Sequence, residues 1–243
     1  LAFLASTLFA VHPIHTECVA NIKGLDEILA LLLSLSSFYL IIDWLQSKRI
    51  YYLIFALFLF GMGLFSKENS IAFLALTPIG LYLFRHASFQ KCFQIFLYLL
   101  LPTFIFLYSR AQILGWNPIA GQSLELMNNP FLKYVNGRYI PFTSIEKLGT
   151  IFYTLIRYIG LLIIPFPLCY DYYPKQIQIQ SLFSPIAFTS LLLYTFFLFS
   201  AIKYIKSKPF FSFSIFCFLI PLFIVSNLLF SVGTFMGERF LFM

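Results

Sequence analysis

Residues 27–45 read EILALLLSLSSFYLIIDWL, nineteen residues whose only ionisable side chains besides Tyr39 are Glu27 and Asp43. About 20 mainly apolar residues wound as a helix cross the hydrocarbon core of a bilayer, so this stretch reads as a membrane span. Three more stretches read the same way: 93–109 (FQIFLYLLLPTFIFLYS), 182–202 and 209–231. Two shorter ones, 51–65 and 70–84, are parted by only a few residues around SKEN and predict an apolar helical hairpin. Residues 1–11 read as the end of a further span. The whole composition agrees. The chain is 60% hydrophobic and 10% charged, with mean hydropathy +0.89, whereas soluble domains carry about 25% charged residues. No initiator Met and no signal-peptide n-region precede residues 1–11, and the chain stops in the apolar FLFM, so it reads as a piece of a longer polytopic protein.

Orientation follows from where Lys and Arg fall in the connections. Lys48, Arg49, Arg85, Lys91, Lys203, Lys206 and Lys208 gather on one side and face only Asp43. The other side then holds the remaining nine basic residues against eight acidic ones. The three short basic turns are therefore expected in the cytoplasm, with the polar stretch 10–27, SKEN, segment 110–181 and the closing GERF facing outward. Segment 149–165 (GTIFYTLIRYIGLLIIP) is apolar enough to cross as well, but one crossing there would reverse the charge pattern. Its polar residues Thr150, Tyr153, Thr154 and Arg157 recur at helical spacing. The expectation is an amphipathic helix at the outer interface, or a re-entrant one. A true span compensated by a second crossing is the alternative. Asn136-Gly137 in KYVNGRY predicts a tight hairpin turn. The fold class is thus all-α, a polytopic helical membrane bundle with a long outer loop that holds an interfacial helix.

The outer connections carry the chemistry. In AVHPIHTECVANIKGLDE (10–27), His12, His15 and Glu17 follow or flank Pro13, which suits a first helical turn. Such a cluster could bind a divalent cation, relay a proton or orient a phosphate; equally, the histidines could cap the preceding span. It lacks the HExxH spacing of a zinc protease. Asp26 and Glu27 suit the N-terminus of the 27–45 helix, where carboxylates favour the macrodipole. Lys23 could meet a lipid phosphate. In SKEN, Lys67 and Glu68 are either a self-neutralising pair or an anion-binding lysine oriented by its neighbour. The stretch PFPLCYDYYPK (165–175) places Asp171 among tyrosines, either as a membrane-interface anchor or as a surface for sugar. Arg239 offers a fork matched to phosphate oxygens, unless it simply pairs with Glu238. The four cysteines show no CxxC and no metal spacing, and read as small buried apolar residues. No N-glycosylation sequon occurs.

Taken together, HPIHTECVANIKGLDE, LFSKENSIAFLALTPI, NNPF, PFPLCYDYYPKQI and GERFLFM resemble, in that order, motifs of the transmembrane, tetratricopeptide-containing protein O-mannosyltransferases and their bacterial relatives. The resemblance implies a GT-C glycosyltransferase, an inverting multi-span enzyme that takes mannose or a similar hexose from a polyprenyl-phosphate carrier. Its acceptor would be a hydroxyl of protein Ser/Thr or of a glycan, on the outer or lumenal face, with membrane lipid around it and no nucleic acid. Lys67, Arg239 and Lys23 would then bind the donor phosphate. His12, His15, Glu17, Glu68, Asp171 and Glu238 would shape the site. The same resemblance puts the principal catalytic carboxylate upstream of Leu1 and tetratricopeptide repeats downstream. Leu25 stands where the family usually has Arg. The rival class is a secondary transporter or lipid translocase, which should show helices broken at mid-membrane and symmetry between its halves.

Overall fold

The computed structural model describes residues 2–115, 129–169, 172 and 176–243. The described chain is mostly helical: α1 (Ala2–Val11), α2 (Thr16–Ala20), α3 (Leu25–Ser47), α4 (Ile50–Ser66), α5 (Phe73–Arg85) and α6 (Phe89–Leu114) lead to a two-stranded hairpin, β1 (Leu132–Val135) and β2 (Arg138–Pro141). Then come α7 (Ser144–Ile163), α8 (Pro185–Lys203) and α9 (Pro209–Val225). Two compact units divide the chain. One is built from 1–22, 118–197 and 222–242, and the other from 23–117, 198–221 and 243. They are called the first and the second unit below.

The second unit is organised around the α3–α4 hairpin. Its reversal is made by Lys48 in the left-handed region (φ 60°), whose N–H bonds back to the Trp44 carbonyl. The buried face of α3 is small and polar near its start (Ala30, Ser34, Ser37) and larger toward its end (Ile41, Trp44). Small residues at a helix–helix seam let backbones approach closely, and here Ser37 Oγ donates to the Ala56 carbonyl on α4 at 2.7 Å. Helices α5, α6 and α9 each run unbroken through an internal proline, Pro78, Pro102 and Pro221. Phe84, near the end of α5, lies against Phe210 and Phe213 of α9 at 4.8 and 5.1 Å between ring centroids.

Among the described residues, three helical stretches are long and apolar enough to cross a membrane: Ile22–Ser47, Phe89–Ile113 and Pro185–Lys203. Their outward residues stay apolar, as Leu29, Leu32, Leu35 and Tyr39 do along α3, which is the surface a lipid-facing helix presents. The fourth expected long span, 209–231, is shorter than its apolar run suggested. Helix α9 stops at Val225, after which Asn227 takes a positive φ and holds the following loop, accepting from Val232 N–H and donating to the Thr234 carbonyl.

In the first unit the Asn136-Gly137 turn closes the hairpin with both residues at positive φ (50° and 82°) and pairs Leu132 with Pro141. Helix α7 begins at a capping box between Thr143 and Glu146. It is amphipathic, but its expected polar side lies partly inward: Thr150 and Thr154 are buried with Ile151, Leu155 and Tyr158. Thr150 Oγ1 accepts from the Gln180 N–H at 3.1 Å, and Leu182 N–H donates to the Ile145 carbonyl. The helix thus docks on segment 180–182 through the Thr150 hydroxyl, while the Thr154 hydroxyl donates to the Ile151 carbonyl within α7.

Candidate functional site

Each unit brings expected site residues into a polar cluster. In the first, the closing segment around GERF is held by side chains from three places. Tyr158 Oη accepts from Gly237 N–H at 3.0 Å, and Glu17 Oε2 accepts from Arg239 N–H at 3.1 Å. Glu238, 3% exposed, accepts from Cys169 N–H at 2.5 Å and from the Tyr172 hydroxyl at 3.0 Å. Burial, with the Glu238 hydrogen bond second, pushes the Tyr172 phenol up, so it stays a donor. Tyr158 is raised by burial too. Glu17 also faces the Arg239 guanidinium, with Oε1 3.5 Å from Nη1. Arg239 therefore pairs with Glu17 across the fold, and Glu238 is committed to Cys169 and Tyr172.

The two histidines are structural neighbours with different tasks. His12 caps the turn at Pro13–His15: its Nδ1 accepts from Ile14 N–H at 3.3 Å, while Nε2 lies 3.2 Å from the Leu162 carbonyl. His15 is 6% exposed and packs on Phe9 and Phe242 at 4.4 and 5.1 Å. Burial, and then the nearby His12, pull its pKa down to about 4. Both ring nitrogens of His12 are engaged by the backbone. Among the described residues no group of three or more His, Cys, Asp or Glu is arranged to hold a metal ion. Beside this cluster opens a cleft of about 620 Å³, lined by Thr16, Glu17, Asn21, Leu168, Cys169 and Glu238 among others.

In the second unit, Lys67 follows α4 and reaches back to the start of α3. Its Nζ lies 2.8 Å from Asp26 Oδ2 and 3.4 Å from Glu27 Oε1, the second contact an ion pair without hydrogen-bond geometry. Asn69 Nδ2 donates to Glu27 Oε2 at 3.2 Å, and Ser66 Oγ donates to the Asp26 carbonyl at 3.0 Å. Burial pulls the Lys67 pKa down, but the Asp26 hydrogen bond and the Glu27 charge outweigh it, and the net shift is upward. Lys67 is thus a held ammonium, paired with Asp26 and Glu27, while its neighbour Glu68 is exposed. Lys23, in the turn at Ile22–Gly24, is exposed as well.

Of the residues expected from sequence, His12, His15, Glu17, Glu238 and Arg239 come together in the first unit. Lys23, Lys67 and Glu68 belong to the second, and Asp171 lies outside the described residues. Tyr158, Tyr172, Asn69 and the Asp26–Glu27 pair are participants that sequence reasoning did not assign. Asp26 and Glu27 were visible as helix-start carboxylates, but their lysine stands some forty positions along the chain, and no local spacing signals it.

Comparison with known proteins places the chain. Along its full length it is 28% identical to the protein O-mannosyl-transferase F38B6.6 of Caenorhabditis elegans, of which it covers 32%. The chain is homologous to proteins named protein O-mannosyl-transferases. A stretch of 38 residues, 16% of this chain and 4% of the relative, is 60% identical to human protein O-mannosyl-transferase TMTC1. Another of 88 residues, 32% of this chain and 12% of the relative, is 32% identical to human protein O-mannosyl-transferase TMTC4. The chain spans about a third of the length of the relative it matches end to end. No protein-family profile matches it, and no solved structure does.

Proposed function

We propose that this chain is part of a membrane glycosyltransferase that moves mannose or a similar hexose from a polyprenyl-phosphate carrier to a hydroxyl of protein Ser/Thr or of a glycan, on the outer or lumenal face. The observation that carries the reading is end-to-end homology to a protein O-mannosyl-transferase. The polar clusters support it. Transfer of this kind needs a cation where negative charge gathers on the departing phosphate. Arg239 suits that role: Glu17 fixes both its backbone N–H and one guanidinium nitrogen, and its side chain stays one-third exposed. Glu17 and Glu238 line the neighbouring cleft and could take substrate hydroxyls. The family resemblance would place the general base that activates the acceptor on a carboxylate upstream of Leu1.

The test is turnover of polyprenyl-phosphate mannose by the full-length protein in detergent or proteoliposomes, with an acceptor peptide. Arg239→Gln should lower transfer about 100-fold or more, the usual cost of removing one charge-stabilising donor, in protein that is still folded. Wild-type protein inactive with every lipid-linked hexose would defeat the reading. An active enzyme indifferent to Arg239→Gln would defeat only the role given to that arginine.

A further inference from the structure

The turn between α8 and α9 reads Lys203-Tyr204-Ile205-Lys206-Ser207-Lys208, and residues 198–221 contain no Asp or Glu. Helix α8 is one of the three stretches long and apolar enough to cross a membrane, and it ends at Lys203. The three lysines are exposed. Yet two of them are gathered on one ring: Lys203 Nζ lies 5.4 Å and Lys208 Nζ 5.2 Å from the Tyr204 centroid. Like charges held on one aromatic ring repel each other, and cation–π attraction at an exposed site is weak. The C-terminal end of α8 favours one cation through its dipole, which accounts for Lys203 and leaves two. No described carboxylate forms a salt bridge with any of the three.

Other basic residues of the second unit reach the same end. Arg85 follows Phe84, which packs on Phe210 just beyond Lys208. Lys91, at the start of α6, lies 4.4 Å from the Trp44 ring near the end of α3, where the Lys48-Arg49 turn begins. Asp43 is the one acidic residue in these turns and helix ends. The excess charge stands where apolar helices stop, the level at which a spanning helix meets lipid headgroups, and is flanked by exposed Ile202 and Phe210. A ligand matching both features joins a diffuse anion to apolar chains.

We infer that this end of the second unit binds the phosphodiester headgroup of an anionic phospholipid. Lys203, Lys206 and Lys208 share the phosphate, Tyr204 lies at headgroup level, and Ile202 and Phe210 meet the acyl chains. The site is independent of the glycosyltransferase reading.

Native mass spectrometry of the full-length protein in detergent, titrated with phosphatidylglycerol or phosphatidylcholine, tests it without reference to membrane orientation. The wild type should retain phosphatidylglycerol about tenfold better or more, given the attraction of each lysine to an anionic surface. Lys203→Gln/Lys206→Gln/Lys208→Gln should abolish the preference. The single charge reversal Lys206→Glu should reduce it several-fold, and serves where the triple variant does not fold. Arg138→Gln/Lys147→Gln, in the first unit, should leave it unchanged. Equal retention of the two lipids, or loss of the preference in the first-unit variant, overturns the assignment. So does complete displacement of phosphatidylglycerol by millimolar inorganic phosphate, which would mean a plain anion site.

Discussion

Lys67 carries one positive charge against the carboxylates of Asp26 and Glu27, and that inequality makes the cluster testable. Removing the ammonium leaves two carboxylates facing each other at the start of a membrane helix. Breaking a fully buried pair costs roughly 3–5 kcal/mol; with Lys67 and Asp26 partly exposed, Lys67→Met should cost about 1–3 kcal/mol. Adding Asp26→Asn should return much of the loss, giving a clear coupling in a double-mutant cycle. Additive effects on melting temperature would mean that the contact does not stabilise the fold. His15 gives a second residue-scale expectation. Its pKa is lowered from 6.5 to about 4, so the folded state resists a proton that the unfolded chain accepts. The stability it lends is whole above about pH 6.5 and is lost as pH falls toward 4, beneath which the loss stops growing. NMR titration of the His15 ring should show a midpoint near 4, and His15→Phe should flatten the stability profile in that window. A midpoint near 6.5 would contradict the packing against Phe9 and Phe242.

At the scale of elements, α7 contains two glycines that should respond oppositely to the same change. A Cβ on Gly149 would lie 2.3–2.4 Å from the backbone of Gln180, Ser181 and Leu182, whereas one on Gly160 would meet nothing within 4 Å. Gly149→Ala should therefore cost about 3 kcal/mol, the upper end for overpacking, because backbone and not a flexible side chain must move. Gly160→Ala should stabilise by about 0.5–1 kcal/mol through helix propensity. Chemical denaturation of the two variants decides the matter, and effects of equal sign would show that α7 does not dock on segment 180–182. The contrast also shows what was legible in the sequence. Helical spacing correctly put Thr150 and Thr154 on one face, but periodicity does not say what a face meets, and both hydroxyls point inward. Apolar runs located α3, α4, α6 and α8 to within a few residues. The run at 209–231 overshot because the turn at Asn227 depends on bonds to residues 232 and 234, which hydropathy does not register. The site was legible as a set of residue types and much less as pairings. Glu17 with Arg239, and Glu238 with Tyr172, join residues scores of positions apart, and in each case the adjacent residue in sequence was the tempting partner.

For the whole molecule, the membrane path implied by the charge distribution can be tested end to end. If α3, α4, α5, α6, α8 and α9 each cross and α7 does not, the chain returns its three basic turns to one side and sends the β1–β2 hairpin and GERF to the other. The uneven placement of Lys and Arg predicts the side of the basic turns to be the cytoplasmic one. Arg157 within α7, and the burial of that helix's Thr150 and Thr154, argue against a crossing there. In a background with its four native cysteines replaced, Asn136→Cys in the hairpin should react with an impermeant thiol reagent applied from the outer or lumenal side, and Lys206→Cys only after the membrane is opened. Gly137 is left intact so that the turn can form. Labelling of both from one side would mean an odd crossing has been missed between residues 136 and 206, with α7 the first candidate. That result would also move the α8–α9 turn away from the cytoplasmic leaflet. The residues that hold GERF, Glu17, Tyr158 and Tyr172, would then have to be sought at a different membrane depth from the hairpin.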